Sequence, residues 1–247
     1  MTTQQMLSYL RKGITKYQLI RDGDKIAVGV SGGKDSVVLL KLLAEYRRFS
    51  PEKFDLLAIT VDLDFTNANP DFTPIKNLCE ELEVDYFVEK TEIGKIVFDV
   101  RKESNPCALC SKMRKGALNN FAKDKGCNKV ALGHHADDMI DTMMLSLLYE
   151  GRLSTFAPKS YLDKTDLTLI RPMIMIKEAD VISYSKTLPI VNSCCPANKQ
   201  TKREYVKNLI SDIGKDIPNV REMMFTALIH PERYNLFDKF ESQIENF

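Results

Sequence analysis

Lys25-Ile26-Ala27-Val28-Gly29-Val30-Ser31-Gly32-Gly33-Lys34-Asp35-Ser36-Val37-Val38-Leu39-Leu40 decides the fold of this chain. The apolar run 25–30 reads as a buried strand. The run from Val37 through Leu43 reads as a helix, and Ser31–Ser36 is the turn between them. Such a turn gathers backbone N–H groups and the positive end of a helix dipole at one point, which binds phosphate. Gly32 and Gly33 let the backbone come close to the ligand. Lys34 adds a point charge, and Ser31 and Ser36 add hydroxyls. The spacing is not that of a Walker A loop, which needs G-x-x-x-x-G-K-[ST].

Strand-like runs recur at 54–62, 84–89, 128–133 and 167–171, mostly as the continuous apolar segments expected of strands covered on both faces. Helical patterns lie between them, at 73–82, 111–125 and 137–149, and a further one precedes the first strand at 4–20. In 111–125, Met113, Ala117, Leu118, Phe121 and Ala122 share a face; in 137–149, Ile140, Met143, Met144, Leu147 and Leu148 do. Alternating β and α elements imply an α/β fold with a doubly wound parallel sheet. Ligands then bind at the carboxyl ends of the strands. Past residue 175 the patterns at 178–187, 201–213 and 218–229 are helical. The expected organisation is an N-terminal helix (1–22), a nucleotide-binding domain (23–175) and a C-terminal helical extension (176–247). Residues 151–166 are expected to be a mobile loop.

The 247 residues carry 35 basic and 34 acidic side chains, a net charge of +1. The charges are unevenly spread. Residues 101–129 hold eight Lys/Arg against Glu103 and Asp124, whereas 71–92 hold seven acids against Lys76 and Lys90. A basic stretch of this kind is either a solvated helix face or a polyanion site. No apolar run is long enough to cross a membrane, and the N-terminus does not read as a signal peptide, so a cytoplasmic location is expected.

Six cysteines in such a chain point away from disulfides. Cys107-Ala108-Leu109-Cys110 opens the basic helix, where a helix N-terminus would lower thiol pKa values. Cys194-Cys195-Pro196 lies far along the sequence. Three readings of these cysteines are open: a three-thiolate metal or cluster site, a dithiol redox pair, and buried core residues. Three ligands leave one position free on a four-coordinate metal, which fits a catalytic centre or an iron–sulfur cluster better than structural zinc. Cys79 and Cys127 stand singly in regular elements and read as core. Asp137 and Asp138 suit a hard cation such as Mg²⁺, or the acidic first turn of a helix. Of His134 and His135, one is expected to serve the site. Arg114 reads as a phosphate contact or a solvated charge, and His230 as structural or exposed.

Taken in order, SGGKDS at 31–36, C-x-x-C at 107–110, Gly133-His134-His135-Ala136-Asp137-Asp138, Arg171-Pro172 and Cys195-Pro196 resemble the tRNA 2-thiocytidine synthetase family. This is a branch of the PP-loop ATP-pyrophosphatases, with an adenine nucleotide alpha hydrolase-like fold. The resemblance covers roughly 20–215. It implies ATP cleavage between the α and β phosphates, adenylation of a tRNA base, and replacement of its C2 oxygen by sulfur. The implied product is 2-thiocytidine at position 32; sulfur transfer to another tRNA base, of the 2-thiouridine type, or to a small molecule is the alternative. It implies a [4Fe–4S] cluster on Cys107, Cys110 and Cys195, with Cys194 the alternative third ligand. It implies ATP held by Ser31, Gly32, Gly33, Lys34, Asp35, Ser36, Val61, Gly133, His134 and Asp138, and Mg²⁺ on Asp35 and Asp138. Lys34, Asp35, Asp137 and the three cysteines would be catalytic, and Arg114 and Lys115 would contact tRNA. A sulfur donor, either a cysteine desulfurase or sulfide, and a homodimer complete the implied partners. The family's Glu-Thr after the aspartates is here Asp141-Thr142. A ligase related to lysidine synthetase would need the loop without the cysteines. A non-enzymatic cluster or RNA-binding protein is disfavoured by the intact SGGKDS.

Overall fold

The computed structural model describes residues 1–65, 70–101, 106–191, 195 and 202–234. Cys194 and Pro196 lie outside the described residues. The chain divides into two compact units, one of residues 1–136 and 157–199, the other of 137–156 and 200–247.

The first unit is built on a six-stranded sheet. Its strands are β1 (Lys25–Gly29), β2 (Asp55–Asp62), β3 (Asp85–Lys90), β4 (Lys129–Ala131), β5 (Lys159–Leu162) and β6 (Leu167–Ile170). The order is β3-β2-β1-β4-β6-β5. Every pairing is parallel except that of β5 with β6. The strands sit where the apolar runs predict them because both faces are covered. Ile26 and Val28 enter the core beneath helix α2 (Lys34–Phe49), and Ala27 between them enters the opposite core, with Leu118 and Ala122 of helix α4 (Pro106–Asp124). A continuous hydrophobic strand is the sequence consequence.

Helix α1 (Thr3–Tyr17) starts at a capping box between Thr2 and Gln5. It is not a separate appendage: Met6, Leu10 and Ile14 are buried in the main core, on α2. Helix α3 (Thr73–Glu81) links β2 to β3 and buries Ile75, Leu78 and Cys79. Helix α4 begins about one turn earlier than its apolar periodicity, with Pro106 in its first turn, where a missing N–H costs nothing.

One expectation fails at the sheet edge. Within 151–166, read as a mobile loop, the structure forms β5, which pairs with β6 from Lys159↔Ile170 to Leu162↔Leu167. The turn closes through Thr165 N–H to the Leu162 carbonyl and a left-handed Asp166, with φ of 51°. A polar Asp-Lys-Thr-Asp turn between short alternating segments is a hairpin signal that composition alone reads as loop. The sheet is therefore parallel with one antiparallel edge.

The second unit packs α5 (Ala136–Glu150, from Asp137 on) with α7 (Lys202–Asp216) and α8 (Val220–Ile229), both following α6 (Glu178–Ser185) of the first unit in the chain. Its core is Ile140, Met143, Met144, Val206 and Ile210, backed by Leu209, Met224 and Phe225. Leu147 and Leu148, expected in the same stripe, are instead 46% and 48% exposed. The helix α5 thus belongs with the C-terminal helices, and the units do not follow the sequence-derived division at 175/176. No described helix is long and apolar enough to cross a membrane.

Candidate active site

The turn after β1 and the turn after β4 meet where the strand order reverses, the usual ligand crevice of an open α/β sheet. Gly32 has φ of 86°, and its carbonyl accepts a hydrogen bond from Val191 N–H at 3.0 Å. A β-carbon there would be strained and would sit 3.0 Å from Val191 Cβ. Gly33 caps α2 with no side-chain hydrogen bond. Ser36 N–H donates to the Gly33 carbonyl at 3.1 Å, so the N–H groups of Lys34 and Asp35, with the helix dipole, are what the turn offers a ligand.

The two serines have different jobs. Ser36 Oγ donates to the Gly33 carbonyl at 2.9 Å and accepts from Ser31 N–H at 3.0 Å. Ser31 Oγ lies 3.2 Å from it. Ser36 is buried and ties the loop shut on itself, which leaves Ser31 as the outer hydroxyl.

Lys34 Nζ donates to Asp35 Oδ1 at 2.9 Å and to Glu178 Oε1 at 3.2 Å. Burial works against the ammonium, but hydrogen bonds and charge from Asp35 and Glu178 outweigh it and hold the pKa above the ordinary lysine value. Lys34 is thus a full positive charge at the phosphate end of α2. On the other side of Asp35, His135 Nε2 lies 3.6 Å from Oδ1. His135 is nearly fully buried. Val61 lies on β2, two residues beyond Ile59, whose carbonyl accepts from Val30 N–H, and packs partly buried against the core of Ala27 and Leu118.

The cysteines fall as the sequence pattern separates them. Cys79 and Cys127 are core residues, and burial pushes their thiols up to about 12 and about 11. Cys107 is exposed and Cys110 half-buried on the first turns of α4, and Cys195 is exposed in the same unit. Burial raises the Cys110 pKa; Arg114 lowers it, and the charges of Cys195 and Cys107 raise it. The expected lowering by the helix terminus is thus outweighed by desolvation. The same interactions put Cys107, Cys195 and Arg114 each within electrostatic reach of Cys110. Among the described residues no group of three His, Cys, Asp or Glu is set to hold a single metal ion. Cys107, Cys110 and Cys195 are soft donors, the ligand type that iron–sulfur centres use. Arg114 and Lys115 are exposed on α4.

In the second unit Asp137 and Asp138 form the acidic first turn of α5, and both are ion-paired. Arg221 donates to Asp137 Oδ1 at 3.1 Å, and Arg203 to Asp138 Oδ1 at 3.1 Å. Arg221 also lies 3.6 Å from Asp141, whose side chain is fully buried. Glu178, Arg203 and Arg221 escape the sequence reading because each sits at an ordinary helical position. Arg171 is buried at the end of β6, where its guanidinium donates to the Ala157 carbonyl, and burial lowers its pKa to about 10.

A family model described as a PP-loop domain matches residues 3–213. The tRNA-cytidine(32) 2-sulfurtransferase of Citrifermentans bemidjiense is 35% identical over 233 residues, covering 92% of this chain and 91% of that protein. That of Syntrophotalea carbinolica is 36% identical over 232 residues, covering 92% and 89%. In fold, the chain resembles the U34-tRNA thiolase NcsA from Methanococcus maripaludis, solved with its [4Fe–4S] cluster, at a TM-score of 0.73 and 24% identity over 94% of this chain and 79% of that one. With its phosphate loop and its cysteines in one α/β unit, the chain belongs to the PP-loop tRNA-cytidine(32) 2-sulfurtransferase family.

Proposed function

We propose that this chain uses ATP to adenylate the C2 oxygen of a tRNA cytidine, at position 32 of the anticodon loop, and replaces that oxygen with sulfur. The observation that carries the reading is the grouping of Cys107, Cys110 and Cys195 in the same unit as the Ser31–Ser36 loop. A carbonyl oxygen is a poor leaving group, and attachment to AMP makes it a good one. The amides at the start of α2 and the Lys34 ammonium would stabilise charge developing on the phosphates. Asp35 offers a hard oxygen for Mg²⁺. Cys107, Cys110 and Cys195 are the residues that would hold a [4Fe–4S] cluster, which when bound supplies an iron site for the incoming sulfur. Arg114 and Lys115 would meet tRNA phosphates. A cysteine desulfurase or sulfide as donor, a homodimer and a cytoplasmic location complete the proposal.

The test is nucleoside mass spectrometry of tRNA from cells lacking the protein, complemented with the wild type, Lys34→Ala or Cys107→Ala. The expected result is loss of 2-thiocytidine restored by the wild type alone. Retention of 2-thiocytidine in the deletion strain would overturn the substrate, and loss of another thionucleoside would name the right one. Activity in Cys107→Ala would point to a ligase that needs the loop but not the cysteines.

A further inference from the structure

Glu178 stands in the first turn of α6, and this helix packs on α2, so two helix N-termini meet at Lys34. The Glu178 carboxylate is 3.2 Å from Lys34 Nζ, and its side chain is only 21% exposed. The Asp35 carboxylate holds the same ammonium at 2.9 Å. Lys34 therefore lies between two carboxylates. A triphosphate seated on the α2 amides needs that ammonium. It also brings several negative charges close to Glu178, a carboxylate with no counterpart in the SGGKDS motif.

We propose that Glu178 is a positioning residue that competes with bound phosphate for Lys34. It parks Lys34 when the site is empty, gives it up when ATP binds, and recaptures it when pyrophosphate is to leave. Asp35 cannot serve this purpose alone, because it moves with the loop that binds the phosphates. Glu178 is anchored on a different element. The Val191–Gly32 hydrogen bond fixes the far end of the segment that carries Glu178 to the same loop. The inference rests on the nucleotide reading of Ser31–Ser36.

The experiment is calorimetric titration of the full chain with inorganic pyrophosphate, and with ATP in the presence and absence of Mg²⁺. Glu178→Gln keeps the shape of the side chain and removes its charge. Its expected effect is pyrophosphate binding tighter by about five-fold, the scale of a partly exposed ion pair, with Glu178→Asp close to wild type. In a Lys34→Met background the Glu178→Gln change should shrink, since the two residues act as one pair. In turnover, Glu178→Gln should lower KM for ATP and lower kcat where pyrophosphate release limits the rate. Unchanged affinity for both ligands in Glu178→Gln would overturn the competition. Weaker ATP binding confined to Mg²⁺-containing samples would overturn it in favour of a metal-ligand role. Failure of the wild type to bind either ligand would refute the nucleotide reading itself.

Discussion

Gly133, in the turn after β4, lies against the backbone of Asp35 in the turn after β1. A β-carbon on Gly133 would sit 2.8 Å from both the carbonyl carbon and the carbonyl oxygen of Asp35. Neither atom belongs to a flexible side chain, so the phosphate loop itself would have to move. Gly133→Ala should therefore cost about 1–3 kcal/mol of stability through overpacking. It should also weaken ATP binding by at least about tenfold, because displacing the loop misplaces every phosphate contact at once. Thermal unfolding and nucleotide titration of the purified variant check the two effects, and wild-type affinity for ATP would show that the loop tolerates the shift.

The five described cysteines should separate by reactivity. The thiols of Cys79 and Cys127 are buried and pushed to about 12 and about 11, so almost no thiolate exists at pH 8. Cys107 and Cys195 are exposed. Alkylation of the folded, cluster-free protein followed by peptide mass spectrometry should label Cys107 and Cys195 and spare Cys79 and Cys127 until denaturant is added. Cys107→Ser, Cys110→Ser and Cys195→Ser should each abolish the visible absorbance of the anaerobically reconstituted protein, and Cys79→Ser should keep it. Labelling of Cys127 at the rate of Cys107 would contradict the burial described above.

Asp141 is fully buried, and desolvation raises its pKa despite the nearby Lys207, Arg221 and Arg203. A carboxyl raised in the folded state contributes stability below its unfolded value of 3.8 and loses it as pH rises through the folded-state pKa. At neutral pH the ionised form is a net cost. Asp141→Asn should accordingly melt higher than wild type at pH 7, with the gap closing as pH falls toward 3.8. A lower melting temperature at pH 7 would mean that the ion pairs outweigh desolvation. Thr142, beside it, accepts from Arg203 at 3.4 Å, so Arg203→Ala should not mimic the asparagine variant.

Lys115 should read out tRNA binding more cleanly than Arg114, because Arg114 also acts on Cys110. Lys115→Ala should weaken tRNA binding at low salt and flatten the salt dependence by roughly 0.7–0.9 of a log unit per log unit of salt for one lost phosphate contact. Filter binding or anisotropy at several salt concentrations measures this slope. An unchanged slope would remove Lys115 from the tRNA surface.

Much of the fold was legible because burial on both faces writes itself into sequence. Ile26, Ala27 and Val28 are all apolar since each meets a core. The loop was legible because glycine at Gly32 answers a backbone angle, and the cysteine pattern because thiols at Cys107 and Cys110 share the first turns of one helix. Strand β5 and its pairing with β6 were not legible, since this half-exposed edge lacks the apolar run that marked the other strands. What only the tertiary structure decided is which distant side chains share a charge. Glu178 reaches Lys34, His135 turns to Asp35, and Arg203 and Arg221 close on the aspartates of α5. Local sequence specifies backbone and burial through nearest-neighbour propensity and periodicity. Ion pairs between elements depend on how helices cross and how turns end, and nothing in a stretch of neighbouring residues records that.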